Sequence, residues 1–253
     1  MKSPLSLSIL FISIFTALNT LTAAESSEPK PKKKNPSAYF DNYWGHDPDP
    51  DMSERAFELT NPSTYYLEKD GYVIAECEDQ PFNQNWVLLN EPEGFFGNGY
   101  LKYIGENLQG NHDGHNTDIH VQYQQNIQDR LLFPIRITTP GTYRARVHVI
   151  HHEKDGDNDA WINLMRTPRR ATRLGGKNPG QFHWNAFGWD GTQIWDGKFN
   201  TFTFEVPGDY IVYIGGRSHG FGVDRLVLHK DGKQEIALDP STPASDRVPV
   251  SND

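Results

Sequence analysis

The chain has 253 residues, a formal net charge of −9 and one cysteine, Cys77. The acidic balance, with a local basic run from Lys30 to Lys34 set in a proline-rich stretch, offers no broad positive footprint for phosphates and excludes nucleic acid as the main partner. One thiol cannot build a disulfide framework within a chain, so stability has to come from a packed core or from metal.

Residues 1–24 read as an export signal: Lys2 gives a positive start, Leu5 to Leu18 an apolar core, and Thr22-Ala23-Ala24 small residues for cleavage before Glu25. That core is too short to span a bilayer comfortably, so no membrane span is expected once it is removed, and the protein is expected to be secreted, periplasmic or held at the cell surface. About 230 residues then remain, enough for one substantial domain. Residues 25–64, rich in Pro, Asp, Ser and Asn, read as an extended lead-in that Tyr39, Phe40, Tyr43 and Trp44 clip to the domain surface. The domain itself is placed at 65–232. Residues 233–253, with Asp239-Pro240-Ser241-Thr242-Pro243, are expected to be a frayed tail or tether.

Within the domain the pattern is strands and turns with almost no helical period. Strands are predicted over Tyr72–Glu78, Tyr100–Ile104, Leu131–Thr138, Tyr143–Ile150, Ala160–Leu164, Phe199–Val206, Tyr210–Gly215 and Val223–His229. Tyr143, Ala145, Val147 and Val149 alternate with Arg144, Arg146 and His148, predicting one core face and one wet face. Phe202, Phe204 and Val206 are set inward against Thr201, Thr203 and Glu205. The turn phrase occurs twice, as Pro140-Gly141-Thr142-Tyr143 and Pro207-Gly208-Asp209-Tyr210, each opening a strand. Short strands between Gly/Pro turns predict an all-β fold, an antiparallel β-sandwich of the jelly-roll kind. Two long connections, 105–118 and roughly 166–193, have no predicted strand; the second carries Phe182, Trp184, Phe187 and Trp189, and reads as an ordered surface feature.

Carboxylates stand out against this pattern. Glu76 and Glu78 share one face of the first predicted strand, with Cys77 between them expected to be buried, and Asp224 is set into the apolar last strand. A carboxylate in such a strand requires a cation or donor partner, or solvent. If the first and last strands lie side by side, Glu76, Glu78 and Asp224 contribute to one structural calcium site; the other reading pairs them with Arg225, Arg217 or solvent.

Four phrases in order, Ile74-Ala75-Glu76-Cys77-Glu78-Asp79, Gly94-Phe95-Phe96-Gly97-Asn98-Gly99-Tyr100, Phe133-Pro134-Ile135 to Tyr143, and Gly220-Phe221-Gly222-Val223-Asp224, resemble the successive landmarks of family 6 and family 35 carbohydrate-binding modules. These are galactose-binding-like jelly rolls, and the resemblance runs from about Gly71 to His229. It implies an eight- or nine-stranded sandwich without catalytic machinery, with Glu76, Glu78 and Asp224 as calcium ligands and a polysaccharide or oligosaccharide as partner. In the sugar cleft of family 6 modules, the first aromatic would fall on Tyr100 or Tyr103 and the tryptophan on Trp195. The asparagine that precedes the last-strand aspartate falls on Gly222, a departure that points to another ligand or another surface.

A sugar site needs several flat aromatics and fixed polar groups. The predicted platform is Trp184, Trp189 and Trp195 with Tyr100 or Tyr103 opposite, and Asn185, Asp190 and Arg217 at its rim; Trp161 is assigned to the core. His112, His115 and His120, like His148, His151 and His152, lack recognised metal-ligand spacing and read as solvated, with His148 facing out on its strand. Asp155, Asp157 and Asp159 resemble the start of a calcium loop, but Ala160 stands where its glycine should be. The function expected is non-catalytic carbohydrate binding, alone or beside a partner enzyme. The alternatives are a jelly-roll lyase or hydrolase, and an adhesion domain without sugar binding.

Overall fold

The computed structural model describes residues 62–107, 129–152, 158–165, 172–176, 178–185, 187–189 and 200–250, with 187–189 described by backbone alone. The export signal, the cluster Tyr39–Trp44, His112, His115, His120, Asp155, Asp157, Asp190 and Trp195 lie outside the described residues.

In chain order the elements are β1 (Thr64–Leu67), β2 (Tyr72–Glu76), β3 (Trp86–Leu89), β4 (Tyr100–Tyr103), β5 (Arg130–Ile137), β6 (Gly141–Ile150) and β7 (Asp159–Leu164). They continue with β8 (Thr172–Gly175), β9 (His183–Trp184), β10 (Phe187–Trp189), β11 (Thr201–Phe204), β12 (Gly208–Gly215), β13 (Gly222–His229), a single helical turn α1 (Gln234–Ala237) and β14 (Arg247–Pro249). One sheet runs β10-β8-β7-β12-β5-β1-β14; the other runs β11-β6-β13-β4-β3, with β2 also on β13 and β9 also on β6. Among the described residues every strand pairing is antiparallel except β1 with β5. The fold is thus an all-β, essentially antiparallel β-sandwich.

The second sheet places strands end to end along its two central members. β13 pairs β4 at Gly222–Val223 and β2 at Arg225–His229 on the same edge, while β6 takes its other edge. First and last predicted strands therefore do lie side by side. The alternation read from sequence builds the core: Tyr143, Ala145, Val147 and Val149 of β6 meet Phe221, Val223, Leu226 and Leu228, and Phe133, Ile135, Val212 and Ile214 come from the facing sheet. Cys77 and Phe204 join this core, and Trp161 is buried on the first sheet.

Several expectations change. The first predicted strand ends at Glu76 rather than Glu78, although the Cys77 N–H still donates to the Asp224 carbonyl at 2.8 Å. The strand expected over Phe199–Val206 is Thr201–Phe204, and Val206 is exposed at the turn instead of inward, because the β6–β11 ladder stops at Gly141↔Phe204. The segment expected to fray after His229 is folded onto the domain. Ala237 and Leu238 pack on Ile74 and Val227, Ser245 bonds both backbone groups of Ile74, and β14 pairs β1. Finally, the expected wet face of β6 is covered over much of its length: Arg146, His148 and Ile150 are all buried. The cover comes from the Gly94–Tyr100 phrase and from the segment around β9, which sequence separation hides.

Candidate functional site

The site begins with an irregularity in β13. Its register with β6 shifts between Val223 and Arg225, so Asp224 is an extra residue in the strand. Such a bulge puts two successive side chains on one face. Val223 and Leu226 point into the core, whereas Asp224 and Arg225 both reach the outer face of the sheet. Arg225 lies opposite Glu76 in the β2 ladder. Its Nε donates to Glu76 Oε2 at 3.0 Å and its Nη2 pairs with Oε1.

Glu76, Glu78 and Asp224 each bring a carboxylate oxygen within 4.8 Å of the others. The Gly94–Tyr100 phrase closes over them: the Phe96 N–H donates to Asp224 at 3.0 Å, and the Asn98 N–H donates to Glu78 Oε1 at 2.8 Å. Gly97 makes this approach possible, since it sits at φ +62° and a Cβ there would collide with Glu78 Oε1. Burial pushes the Asp224 carboxyl up to about 8 and the Glu78 carboxyl up to about 7, more than their backbone donors lower them. Among the described residues Glu78 Oε2 is buried without a hydrogen-bond partner.

These features fit a hard divalent cation. The donors are all oxygens, one buried oxygen is unclaimed, and Arg225 cancels one of three carboxylate charges, leaving a net near −2 when all are ionised. Pairing with Arg225 does not exhaust Glu76, because each carboxylate oxygen keeps a second acceptor site.

His148 corrects the reading of a solvated histidine. Its Nδ1 lies 2.6 Å from Asp224 Oδ2, and burial brings the imidazole down to about 4. The ring is sandwiched by aromatics: Phe182 stacks on it at 5.3 Å, with Phe96 at 4.6 Å and Trp184 at 5.1 Å. Trp184 also stacks on Phe96 at 5.9 Å, and Phe95 meets Phe182 edge-on at 6.3 Å. Phe95, Phe96, Phe182 and Trp184 are half-buried, so each keeps part of its surface outward. They form a continuous aromatic patch directly above the carboxylates.

The other predicted platform residues scatter. Tyr100 and Tyr103 are 0% and 1% exposed and offer no open ring face, which corrects their placement opposite the tryptophans. The cause is glycine: Tyr100 fills the space over Gly222, and Tyr103 is wedged against Gly105 and Gly216. The Tyr100 hydroxyl donates to the Glu91 carbonyl at 3.0 Å, and the Tyr103 hydroxyl to Asp129 at 3.1 Å. Arg217, expected at the rim, is buried against Asp159 with its guanidinium 5.2 Å from the Trp161 ring. Asn185 is likewise buried and accepts the Val147 N–H at 3.0 Å. Asp159 opens β7 and is bound by Arg217, Arg173 and Ser218. The backbone of Trp189 pairs with Arg173 in β10. Of the predicted platform, Trp184 alone is seen in the patch among the described side chains; Phe95, Phe96 and Phe182 were missed, although the Phe95-Phe96 pair inside a glycine-rich phrase was a readable signal.

No family model matches the sequence, and no curated protein matches it. Among solved structures the chain is similar to a family 35 carbohydrate-binding module from Clostridium thermocellum, at 14% identity and TM-score 0.39, over 62% of this chain and 96% of that one. It is similar to the C-terminal family 6 module of a laminarinase from Zobellia galactanivorans, at 12% identity and TM-score 0.39, over 63% and 99%. It is also similar to a β-(1,4)-mannanase from Podospora anserina carrying a family 35 module, at 14% identity and TM-score 0.42. The match covers 64% of this chain but only 28% of the mannanase chain. These likenesses assign no ligand or activity to this chain.

Proposed function

We propose that this is an exported, non-catalytic carbohydrate-binding protein whose ligand lies on the patch of Phe95, Phe96, Phe182 and Trp184. The observation that carries the reading is the patch itself: half-exposed rings fixed on a rigid sandwich, with Asn98, Gln181 and His183 beside them in sequence as polar neighbours. Sugars present C–H faces to such rings and hydroxyls to the surrounding donors and acceptors. Burying one sugar face on one ring contributes about 1–2 kcal/mol, so a patch of this size supports affinities on the order of 0.1–1 mM. The exported setting rests on the leader-like residues 1–24.

The same reading assigns Glu76, Glu78 and Asp224 to a structural calcium ion. A calcium ion, when bound, would be held by Glu76, Glu78 and Asp224 and would supply fixed positive charge to the cluster. Asp224 and Glu78 hold the backbone of Phe96 and Asn98, so the cluster sets where the patch stands. A catalytic reading has less support, because the His148–Asp224 pair lies beneath rings, with His148 only 7% exposed.

A panel of neutral and acidic polysaccharides tests the proposal by retention and by product analysis. Retention without new reducing or unsaturated ends is expected, and Trp184→Ala should weaken it at least tenfold. Turnover of any member would establish an enzyme, and undiminished retention by the variant would reject the patch.

A further inference from the structure

We propose that Arg225 is an internal cation that keeps the carboxylate cluster and its aromatic cover assembled when no metal ion is bound. This deepens the functional reading above and rests on its placement of the patch over the carboxylates.

Three contacts converge on the one guanidinium. Nε and Nη2 take both oxygens of Glu76, Nη1 donates to the Thr242 carbonyl at 3.2 Å, and Cζ lies 3.9 Å from the centroid of Phe96. The side chain is 6% exposed, so these contacts work in a poorly hydrated setting where a cation over a ring is most strongly held. Phe96 is tied from its other side, because its own N–H binds Asp224. Arg225 therefore links one carboxylate, the ring above it and the C-terminal segment, while the neighbouring Asp224 N-terminal to it in the bulge supplies the next carboxylate.

Without a cation the three clustered carboxylates are costly to keep together, and only the Phe96 and Asn98 backbone donors are left to hold the covering phrase. A guanidinium in a fixed fork meets one carboxylate bidentately, which a monodentate lysine cannot reproduce. Arg225 thus performs in the metal-free protein part of what an ion would do, and the cluster need not open when the ion leaves. It acts as a positioning residue for Phe96 and, through Phe96, for Trp184.

The test uses the full chain, EDTA and added Ca2+, read by near-UV circular dichroism, tryptophan emission and thermal unfolding. Wild type in EDTA should retain its near-UV signal. Arg225→Met in EDTA should lose it and unfold about 10 °C lower, as expected for a buried carboxylate stripped of its partner. Glu76→Gln combined with Arg225→Met should recover most of that loss, since the unpaired charge goes with the cation, whereas a purely steric role for Arg225 predicts no recovery. Arg225→Lys should fall between. Collapse of the wild type in EDTA, or an Arg225→Met protein in EDTA indistinguishable from wild type, would overturn the proposal. None of these signals requires a glycan, so failure of sugar binding is separately visible. Failure of Ca2+ to restore Arg225→Met would remove the calcium assignment while leaving Arg225 as the holding cation. Should Arg225→Met not fold at all, the wild-type EDTA arm and Arg225→Lys still decide.

Discussion

The close packing over Gly222 can be tested by stability alone. A methyl group built there would stand 2.6 Å from Ile150 Cγ2 and 2.9 Å from Tyr100 Cδ2 and Cε2. Neither neighbour has room to retreat. Both residues are 0% exposed, the Tyr100 ring is held by its hydroxyl on Glu91 and by Phe182 edge-on at 5.0 Å, and β13 is pinned by ladders on both edges. Overpacking of this kind costs about 2–3 kcal/mol. For a domain of this size Gly222→Ala should therefore lower the thermal midpoint by about 5–10 °C. Gly208→Ala is the control: its added methyl would meet nothing nearer than Tyr210 at 3.6 Å, and a change within about 0.5 kcal/mol is expected. Urea and thermal unfolding followed by circular dichroism measure both. If Gly222→Ala proved as stable as Gly208→Ala, the space above Gly222 would be open, and Tyr100 would not be packed against it as described.

Two further changes probe the frame. Burial raises the Glu68 pKa, but Thr138 Oγ1 and the N–H groups of Gly71, Thr138 and Thr139 lower it more, to below its usual 4.5. Its stabilisation is complete above about pH 4.5 and is lost as pH falls through the depressed folded value. Glu68→Gln should cost about 2–3 kcal/mol at neutral pH and flatten the acid limb of stability; curves parallel to wild type would contradict this. Ending the chain at Asp239 removes the Thr242 carbonyl, Ser245 and β14. Lower urea resistance and faster amide exchange in β1 and β2 are expected, and unchanged exchange would mean the C-terminal segment is dispensable.

The pairing of β2 with β13 was legible because apolar residues bracket Glu76 and Asp224 at strand spacing, and the core of β6 was legible from Tyr143 to Val149 for the same reason. The bulge was not. Nothing local distinguishes Val223-Asp224-Arg225 from a regular strand, and only the shifted register brings Asp224 and Arg225 to one face. The burial of His148 was equally hidden, since its cover arrives from Phe96 and from Phe182–Trp184, far away in sequence. Aromatics near a glycine-rich phrase suit both surface and core, so the sequence alone does not bury Tyr100 and Tyr103. What decides is the absence of a Cβ at Gly222 and Gly216, which lets the rings sink. The prolines of the C-terminal segment suggest a loose tail, yet their neighbours supply Thr242, Ser245 and an edge strand.

The end-to-end arrangement of β2 and β4 along one side of β13 has a consequence for variation. The chain departs from that edge after Glu76 and rejoins it at Leu101, with its two anchorages fixed by separate ladders. Between them β3, Cys77, Trp86 and Gly97 belong to the frame, whereas Glu93, Phe95 and Asn98 stand outside both ladders and can carry other side chains without disturbing its alignment. Variation of the outer surface is thus available at little structural risk at these positions, and a library confined to Glu93, Phe95 and Asn98 would explore it.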